Sequence, residues 1–360
     1  MKVYRTDEIR NVVLLGHGGS GKTSLVEAMA YVSGATNRMG KVADKNTISD
    51  FDKEEQKRGF SLSTTLTPIE WEKAKINVLD TPGYFDFVGE VEEAVSAADA
   101  AVIVVSGKAG VEVGTEKAWA LCDKYNLPRM VYVTEMDVDD ASFRQVVQDL
   151  TDKFGKVIAP HFQPIRENEK LVGYVNVIQQ KAKRWIDEGT VEKFEVPEYS
   201  QKNLNLCREA LLEAVAETSE EFMDKFFSGE DFTYVEMIQG LRQGVRELSM
   251  FPVLFGSAIN CMGSLMLMDY IVDLLPNPME GNYHKATMAS GETEEFVVSP
   301  GGVPTAYVFK TISDQYGKYS LIKVLSGEIT SDLSLVNART GATEKLGRLY
   351  KMCGKKAEEV

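Results

Sequence analysis

The sequence has few of the residues that build metal centres and disulfide frameworks. Its 360 residues include four cysteines and three histidines. Cys122, Cys207, Cys261 and Cys353 are widely spaced without a CxxC pair, and the histidines form no HExxH pattern. Structural zinc sites need clustered ligands, and secreted disulfide scaffolds need closely spaced cysteines. We therefore expect a reduced, cytoplasmic protein without structural zinc.

Two further absences exclude whole classes of partner. No apolar run approaches the ~18 residues that a membrane span requires, and no signal-peptide pattern opens the chain. Acidic residues outnumber basic ones by 54 to 40, which gives a formal net charge of −14. Nonspecific binding of nucleic acid or of anionic lipid needs a positive field. We expect neither activity, although a specific partner can still dock through a local patch.

The chain does contain an alternation of apolar strand-like runs and amphipathic helical segments. The strand-like runs are residues 12–15, 76–79, 101–105, 130–134 and 252–255, and the helical segments are residues 86–98, 114–126 and 141–153. This alternation predicts an α/β domain in which a mostly parallel sheet is covered on both faces. Ligands of such sheets bind at the carboxyl ends of the strands.

Residues 158–250 interrupt this alternation with a polar, charge-rich stretch. It contains a strand-like run at 172–178 and helical segments at 201–218 and 234–248, and it predicts an inserted α+β subdomain before the last core strand. Residues 264–278 then predict a closing helix that Pro276 and Pro278 end. Its Met266 and Met268 are expected in the core, because methionine adapts well to irregular packing.

From about residue 303 the pattern changes to short alternating runs punctuated by Gly317, Gly327 and Gly341. Such runs predict a β-barrel. The pattern stops after about sixty residues, so we expect an incomplete or truncated barrel. The expected domains are residues 1–280, with the insertion at about 158–250, and residues 300–360.

Residues 11–24 read NVVLLGHGGSGKTS and fit the pattern G-x-x-x-x-G-K-[ST], with a strand before the glycines and a helix after them. Glycines let backbone N–H groups approach phosphate closely, a lysine reaches the β- and γ-phosphates, and the hydroxyl ligates Mg²⁺. The alternative is a glycine-rich turn that binds nothing. We assign to nucleotide binding the residues Gly18, Gly19, Ser20, Gly21, Lys22, Thr23 and Ser24.

Asp80-Thr81-Pro82-Gly83 follows an apolar strand and looks like the DxxG switch of GTP-binding proteins, although alone it could be a turn. In that switch Asp80 would hold Mg²⁺ through a water, and the Gly83 N–H would sense the γ-phosphate. Between the two motifs lies DFDKEEQKRGFSLSTTLT, residues 50–67. This run resembles the first switch of the translational GTPases, most closely that of the elongation factor G family and its divergent second copies.

The resemblance implies further residues and partners. The magnesium-binding threonine of the family falls on Ser61, with a solvated Ser/Thr loop as the alternative. Residues 256–259, GSAI, resemble the loop that receives guanine, which assigns Ser257 and Ala258 to the nucleotide. The family implies a P-loop GTPase domain before a β-barrel domain, with GTP or GDP and Mg²⁺ as cofactors, the ribosome as partner and a monomeric state.

Two positions depart from the family pattern. The base-reading motif NKxD appears as Thr134-Glu135-Met136-Asp137 and keeps only its aspartate. We expect Asp137 to favour guanine, with affinity weakened because the lost lysine no longer covers the purine and the lost asparagine no longer ties this loop to the glycine-rich loop. The histidine that follows DTPG in the family is Tyr84, which can hydrogen-bond to a water but carries no positive charge.

The motifs and the two departures from the family pattern are consistent with three functions. The first is a GTP hydrolase stimulated by the ribosome, with Gly83 and Tyr84 as its catalytic positions and Thr23, Ser61 and Asp80 as magnesium ligands. The second is a nucleotide-binding switch that docks on the ribosome and hydrolyses GTP slowly or hardly at all. The third is a P-loop enzyme that uses ATP. Release of γ-phosphate with and without ribosomes separates the first two.

Overall fold

The computed structural model describes residues 2–155, 157–187, 190–281, 284–287, 291–314 and 317–360. The α-helices are α1 (Lys22–Val32), α2 (Lys53–Arg58), α3 (Val88–Ala97), α4 (Val113–Lys124), α5 (Phe143–Phe154), α6 (Glu198–Ala216), α7 (Glu220–Ser228), α8 (Tyr234–Arg246) and α9 (Ser264–Leu274). Among the described residues, no helix combines the length and the apolar composition that crossing a bilayer requires.

The first eleven strands build two sheets and precede α9. They are β1 (Ile9–Leu15), β2 (Thr65–Trp71), β3 (Ala74–Asp80), β4 (Ala100–Ser106), β5 (Arg129–Thr134), β6 (Ile158–Pro160), β7 (Phe162–Glu167), β8 (Lys170–Asn176), β9 (Lys181–Trp185), β10 (Val191–Phe194) and β11 (Phe251–Phe255). The remaining strands are β12 (His284–Thr287), β13 (Thr293–Phe296), β14 (Thr305–Asp314), β15 (Gly317–Ser326), β16 (Ser334–Val336), β17 (Thr343–Lys345), β18 (Tyr350–Cys353) and β19 (Lys356–Glu359).

A seven-stranded sheet with the order β2-β3-β1-β4-β5-β11-β6 forms the centre of the first part of the chain. Only the β2–β3 pair is antiparallel, so the predicted mostly parallel sheet is confirmed. Every residue of β4 and β5 is buried, as expected for strands that are covered on both faces. The apolar runs did not predict β2, which is rich in threonine, or β6, which has three residues.

The helices that pack against this sheet lie close to their predicted positions. The segment predicted at 86–98 is a short 3₁₀ turn (Phe85–Phe87) followed by α3, and those predicted at 114–126 and 141–153 are α4 and α5. Helix α9 ends at Leu274, ahead of the two prolines. Its Met266 and Met268 are buried in the hydrophobic core, as predicted.

The polar stretch forms a second, antiparallel sheet with the order β10-β9-β8-β7, followed by α6, α7 and α8. Residues 158–160 at its start belong to the central sheet, because β6 pairs with β11. Helix α7 was not predicted. Residues 188–189 of this stretch lie outside the described residues, and its limits as a subdomain stay a prediction.

The final part of the chain is β-rich and antiparallel. Its described strands form four two-stranded sheets, β12-β13, β14-β15, β16-β17 and β18-β19. This agrees with the predicted β domain, whereas closure into a barrel stays a prediction. The β14–β15 hairpin packs against α3, and β18 packs against β2, so this part contacts the α/β part through two elements.

Candidate functional site

The glycine-rich loop lies between the carboxyl end of β1 and the amino end of α1, where the sequence placed it. Gly21 caps the helix with φ +88°, a left-handed conformation that favours glycine. The Lys22 side chain folds back into the loop, and its Nζ donates to the carbonyls of Gly16 (3.0 Å) and His17 (2.8 Å). We refer to residues 16–23 as the P-loop.

Lys22 is a buried cation at the amino end of a helix. Burial lowers the pKa of its ammonium to about 8, although the nearby carboxylates of Asp80 and Glu112 act in the opposite direction. A helix amino terminus carries a partial positive charge and unpaired N–H groups. Together with the lysine, these groups favour an anion such as phosphate at this position.

The DTPG segment lies directly on the P-loop. A Cβ added at Gly83 would lie 2.6 Å from the Gly18 backbone and 2.6 Å from Nζ of Lys22, so only glycine fits here. Thr81 fixes the start of the segment, because its hydroxyl donates to the Leu14 carbonyl at 2.6 Å. The DTPG segment therefore lies close to both the P-loop backbone and the Lys22 ammonium.

Oxygen atoms from three segments meet beside Thr23. The Thr23 and Ser61 hydroxyls lie 3.2 Å apart. Asp80 is buried, and among the described residues neither of its carboxylate oxygens has a hydrogen-bond partner of normal geometry. Burial raises the pKa of Asp80, whereas the neighbouring Ser49 and Thr23 hydroxyls and the Lys22 ammonium lower it.

Asp50, which none of the sequence motifs marks, is a second buried carboxylate beside Thr23 and Ser61. Its two oxygens also lack hydrogen-bond partners among the described residues. Burial raises its pKa to about 6, the Ser61 hydroxyl lowers it, and the charge of Asp80 raises it further. Unpaired buried carboxylates are costly, and a nearby cation relieves that cost.

This donor set fits a magnesium ion. Mg²⁺ prefers oxygen ligands and is usually held by one or two carboxylates together with hydroxyls, waters and phosphate oxygens. No cluster of three or more His, Cys, Asp or Glu side chains suited to a metal occurs in the described part of the chain. A site of the kind seen beside Thr23 does not need one, because the nucleotide itself supplies ligands.

The segment that carries Ser61 is folded against the domain. Ser61 and Thr64 are buried, and Thr65 begins β2. The buried Glu55 carboxylate of α2 accepts hydrogen bonds from the N–H groups of Leu62 (2.9 Å) and Ser63 (3.1 Å). The alternative of a solvated Ser/Thr loop is therefore wrong for this segment, in which only Ser63 is exposed.

The two predicted base-binding loops meet at the far end of the site. Asp137 accepts a hydrogen bond from the side-chain amide of Asn260 at 3.0 Å. The Met136 N–H donates to the Gly256 carbonyl at 3.1 Å. Ser257 and Ala258 are buried. The structure therefore brings residues 134–137, which we call the base loop, beside residues 256–260, and it adds Asn260 to the residues found by sequence.

One expectation about the base loop is wrong. The loss of the family's asparagine does not untie this loop from the P-loop, because the Thr134 hydroxyl donates to the Ser20 carbonyl at 2.7 Å. The same hydroxyl lies 3.2 Å from the Val105 carbonyl. Glu135, which stands where the family has lysine, adopts φ +56° and accepts a hydrogen bond from the Ser106 hydroxyl.

Tyr84 lies against the P-loop and beside the segment that carries Ser61. Its ring atoms would lie 3.1–3.3 Å from a Cβ at Gly18, and its ring centroid is 4.5 Å from that of Phe60. The side chain is 45% exposed, so its outer part remains open to solvent. His17, to which no role was predicted, accepts a hydrogen bond from the Gly114 N–H through Nδ1 at 3.2 Å and contacts Phe85 edge-on.

Comparison with known proteins agrees with this geometry. Residues 7–277 match the family described as the elongation factor Tu GTP binding domain. A crystal structure of a protein from Thermus thermophilus is similar with a TM-score of 0.87 and 34% sequence identity, over 98% of this chain and 50% of that one. The chain thus spans half the length of that protein. Because the family match covers most of the chain, this protein belongs to the translational GTPases with an elongation factor Tu-type GTP-binding domain.

Proposed function

We propose that this chain binds GTP and GDP with Mg²⁺ and hydrolyses GTP as an elongation factor G-like protein that acts with the ribosome. The observation that carries the proposal is the meeting of Lys22, Thr23, Ser61 and Asp80 at the amino end of α1. Lys22 provides a buried cation for phosphate at this point. Next to it, the Thr23 and Ser61 hydroxyls and the unpaired Asp80 carboxylate provide oxygen ligands for Mg²⁺. Members of the family are GTPases in general, which supports hydrolysis as the activity.

The phosphate-binding roles follow from the P-loop. The backbone N–H groups of residues 18–24 donate to the phosphates, and Lys22 pairs with the β- and γ-phosphate oxygens. Thr23 and Ser61 would offer hydroxyl ligands to the metal, and Asp80 would hold it through a water. Bound Mg²⁺ would neutralise charge on the β- and γ-phosphates. Because Gly83 lies close to the Lys22 ammonium, a γ-phosphate paired with that ammonium would lie next to the DTPG segment.

The base-binding role falls on Asp137, Ser257 and Ala258. Guanine presents two donors, N1–H and the 2-amino group, on the edge that a carboxylate can accept, whereas adenine presents an acceptor at N1. We expect a preference for guanine of about 1.5–3 kcal/mol, the range for hydrogen bonds to charged groups. Asn260 supports this role because its amide orients the Asp137 carboxylate.

An exchange at Asp137 tests base reading directly. Asp137→Asn should shift preference from GTP toward xanthosine triphosphate, because the new amide can donate to the oxygen that replaces the 2-amino group. Competition binding with GTP, ATP and xanthosine triphosphate measures this shift. Asp139→Asn, two residues further on and outside the base loop, is the matched control. If wild type binds GTP and ATP equally well, Asp137 does not read the base.

Hydrolysis depends on how Tyr84 places the attacking water. Phosphoryl transfer relies mainly on positioning and on charge stabilisation, so a tyrosine that holds a water can support turnover. Phosphate release by wild type should rise when ribosomes are added. A protein that binds GTP but releases no phosphate under either condition would instead be the ribosome-docking switch, the alternative that the family match does not favour.

The remaining parts of the proposal rest on the family resemblance. We propose a cytoplasmic monomer that docks specifically on the ribosome. We also propose that residues 1–280 form the GTP-binding domain, with an insertion at about 158–250, and that residues 300–360 begin a β-barrel domain. Sedimentation of the chain with and without ribosomes tests the docking and the monomeric state together.

A further inference from the structure

A buried lysine reaches from the β-rich part into the GTP-binding domain. Lys310 lies on β14, and its side chain is 6% exposed. Its Nζ forms an ion pair with the Glu90 carboxylate on α3 and donates to the Thr64 carbonyl at 3.2 Å. The lysine therefore contacts a helix and a loop segment of the other part of the molecule at the same time.

Glu90, the partner of Lys310 in the ion pair, also binds Thr64 directly. Its Oε2 accepts a hydrogen bond from the Thr64 N–H at 2.6 Å, and its backbone carbonyl accepts one from the Thr64 hydroxyl at 2.7 Å. Lys310 and Glu90 thus satisfy both backbone polar groups of Thr64 and its hydroxyl. Thr64 is held on all of its polar atoms by these two residues.

These contacts complete a clamp on residues 61–64, which we call the Ser61 segment. The N–H groups of Leu62, Ser63 and Thr64 are bound by two carboxylates, those of Glu55 and Glu90. Glu55 lies on α2, just before the segment in the chain, whereas Glu90 depends on Lys310 for charge compensation. Removing the lysine from such a pair leaves an uncompensated, partly buried carboxylate, which is strongly unfavourable.

We propose that Lys310 is a positioning residue that holds the Ser61 segment beside Thr23. The β-rich part of the chain would thereby control the arrangement of the proposed magnesium ligands Thr23, Ser61 and Asp80. The link to Mg²⁺ rests on the function proposed above. The link to the Ser61 segment does not, because it follows from the contacts of Lys310, Glu90 and Thr64 alone.

The same hairpin supplies a matched control. Lys323 on β15 is also 6% exposed and forms an ion pair with Asp99, which is 3% exposed. Asp99 precedes β4 and accepts a hydrogen bond from the Asn11 side chain at 2.8 Å. This pair lies at the amino ends of the central strands, opposite the end that carries the P-loop and Thr23. Both lysines attach the hairpin, but only Lys310 contacts the Ser61 segment.

Limited proteolysis tests the inference on the full chain without nucleotide. Lys57 and Arg58 are exposed at the end of α2, immediately before the segment, so trypsin cleavage there reports its release. Lys310→Met should raise the rate of this cleavage roughly tenfold by increasing local opening. Lys323→Met removes the more deeply buried pair with Asp99, away from the Ser61 segment, and should leave the rate of this cleavage within about twofold of wild type. Lys310→Arg keeps the positive charge and should also leave the rate within about twofold of wild type.

Glu90→Gln is the second variant, for the case in which Lys310→Met does not fold. It removes the same ion pair from the other side and should raise cleavage at Lys57 and Arg58 in the same way. Equal cleavage in the Lys310→Met and Lys323→Met proteins, or in Glu90→Gln and wild type, would overturn the inference.

Nucleotide binding supplies a readout that a merely structural role would not change. In Mg²⁺, Lys310→Met should lower the ratio of GTP to GDP affinity roughly tenfold, while Lys323→Met keeps the wild-type ratio. An unchanged ratio in the Lys310→Met protein would overturn the magnesium part of the inference. If wild type binds no guanine nucleotide, the proposed function fails, and the proteolysis still decides whether Lys310 holds the segment.

Discussion

At the residue scale, Thr134 stands where the family has an asparagine, and its hydroxyl rather than a side-chain amide connects the base loop to the P-loop. Its hydroxyl donates to the Ser20 carbonyl at 2.7 Å, and its side chain lies against Gly21 of the P-loop. A short β-branched side chain has few rotamers, so the hydroxyl is held in place at little entropic cost. The Thr134 hydroxyl thus joins the base loop to the P-loop.

Removing that hydroxyl should weaken nucleotide binding without changing its selectivity. Thr134→Val keeps the shape of the side chain and leaves the Ser20 carbonyl without its donor. We expect a loss of about 1 kcal/mol, or roughly a fivefold weaker affinity for GTP and GDP alike. Titration calorimetry measures it, with Thr134→Ser as the control that keeps the hydroxyl. Wild-type affinity in the valine variant would show that the link does not support the site.

Asp50 gives the site a pH dependence of defined sign. Its pKa is raised from 3.8 to about 6 in the folded protein, so the folded state binds more protons than the unfolded state between these values. Stability therefore falls as pH rises from about 4 to about 6, and the loss is complete above about pH 6. In the absence of Mg²⁺, Asp50→Asn should raise the free energy of unfolding at neutral pH by up to about 3 kcal/mol.

Urea denaturation with and without Mg²⁺ and GDP measures this effect. The advantage of the asparagine variant should shrink near pH 4, where Asp50 is largely protonated, and also when the metal and nucleotide are present. Asp152→Asn, an exposed position on α5, is the control for a change of one charge. A variant that is less stable than wild type in metal-free buffer would contradict the account.

The residue scale also shows what the sequence can reveal about the site. Lys22, Asp80 and Asp137 stand in motifs of fixed local spacing, so their positions could be named without a structure. Asp50 and Asn260 have no such spacing, because they reach the site through loops that approach it only in the folded chain. Thr134 is part of the base-reading motif, but its contact with Ser20 could not be predicted because it depends on how two loops approach each other in the fold.

At the scale of elements, two segments meet on the P-loop. Phe60, directly before the Ser61 segment, packs against Tyr84, and the Tyr84 ring lies over Gly18. A shift of the DTPG segment therefore moves the Phe60–Tyr84 contact as well. Aromatic pairs of this kind contribute about 0.5–1.5 kcal/mol beyond area burial, enough to couple the two segments.

Exchanges at Tyr84 separate its hydroxyl from its ring. Tyr84→Phe keeps the contacts with Phe60 and Gly18 but should lower phosphate release roughly tenfold if the hydroxyl holds the water. Tyr84→His should raise the ribosome-stimulated rate, because an imidazole can accept and donate protons near neutral pH. Rates are measured under single-turnover conditions with saturating ribosomes. Equal rates for all three proteins would show that position 84 does not place the water.

Element prediction succeeded where the hydrophobic pattern was long and regular. The apolar runs predicted β4 and β5, whose residues are all buried, and helical spacing predicted α4 and α5. Prediction from the sequence failed for β2, whose threonines are buried at the sheet edge. It also failed for α2, which has only six residues and is bounded by the Asp52 and Gly59 caps. Short elements of this kind are set by tertiary contacts that local pattern does not carry.

At the scale of the whole molecule, the two parts of the chain are joined by charge as well as by packing. Buried lysines of one hairpin pair with carboxylates of the GTP-binding domain at both ends of the central sheet. The protein carries a net charge of −14, so the proposed docking on the ribosome, a polyanion, would have to rely on a local surface. The sequence alone predicted that an α/β part precedes a β-rich part. The ion pairs of Lys310 and Lys323 could be recognised only in the folded structure.

The measurement that tests the account most directly is equilibrium titration of GTP and ATP in Mg²⁺, with wild type and Lys22→Ala. We predict that wild type binds GTP roughly tenfold to a hundredfold more tightly than ATP, and that Lys22→Ala weakens GTP binding by several kcal/mol through loss of a buried, charge-assisted contact to phosphate. Equal affinity for GTP and ATP, or unchanged GTP affinity in Lys22→Ala, would contradict the assignment of this site.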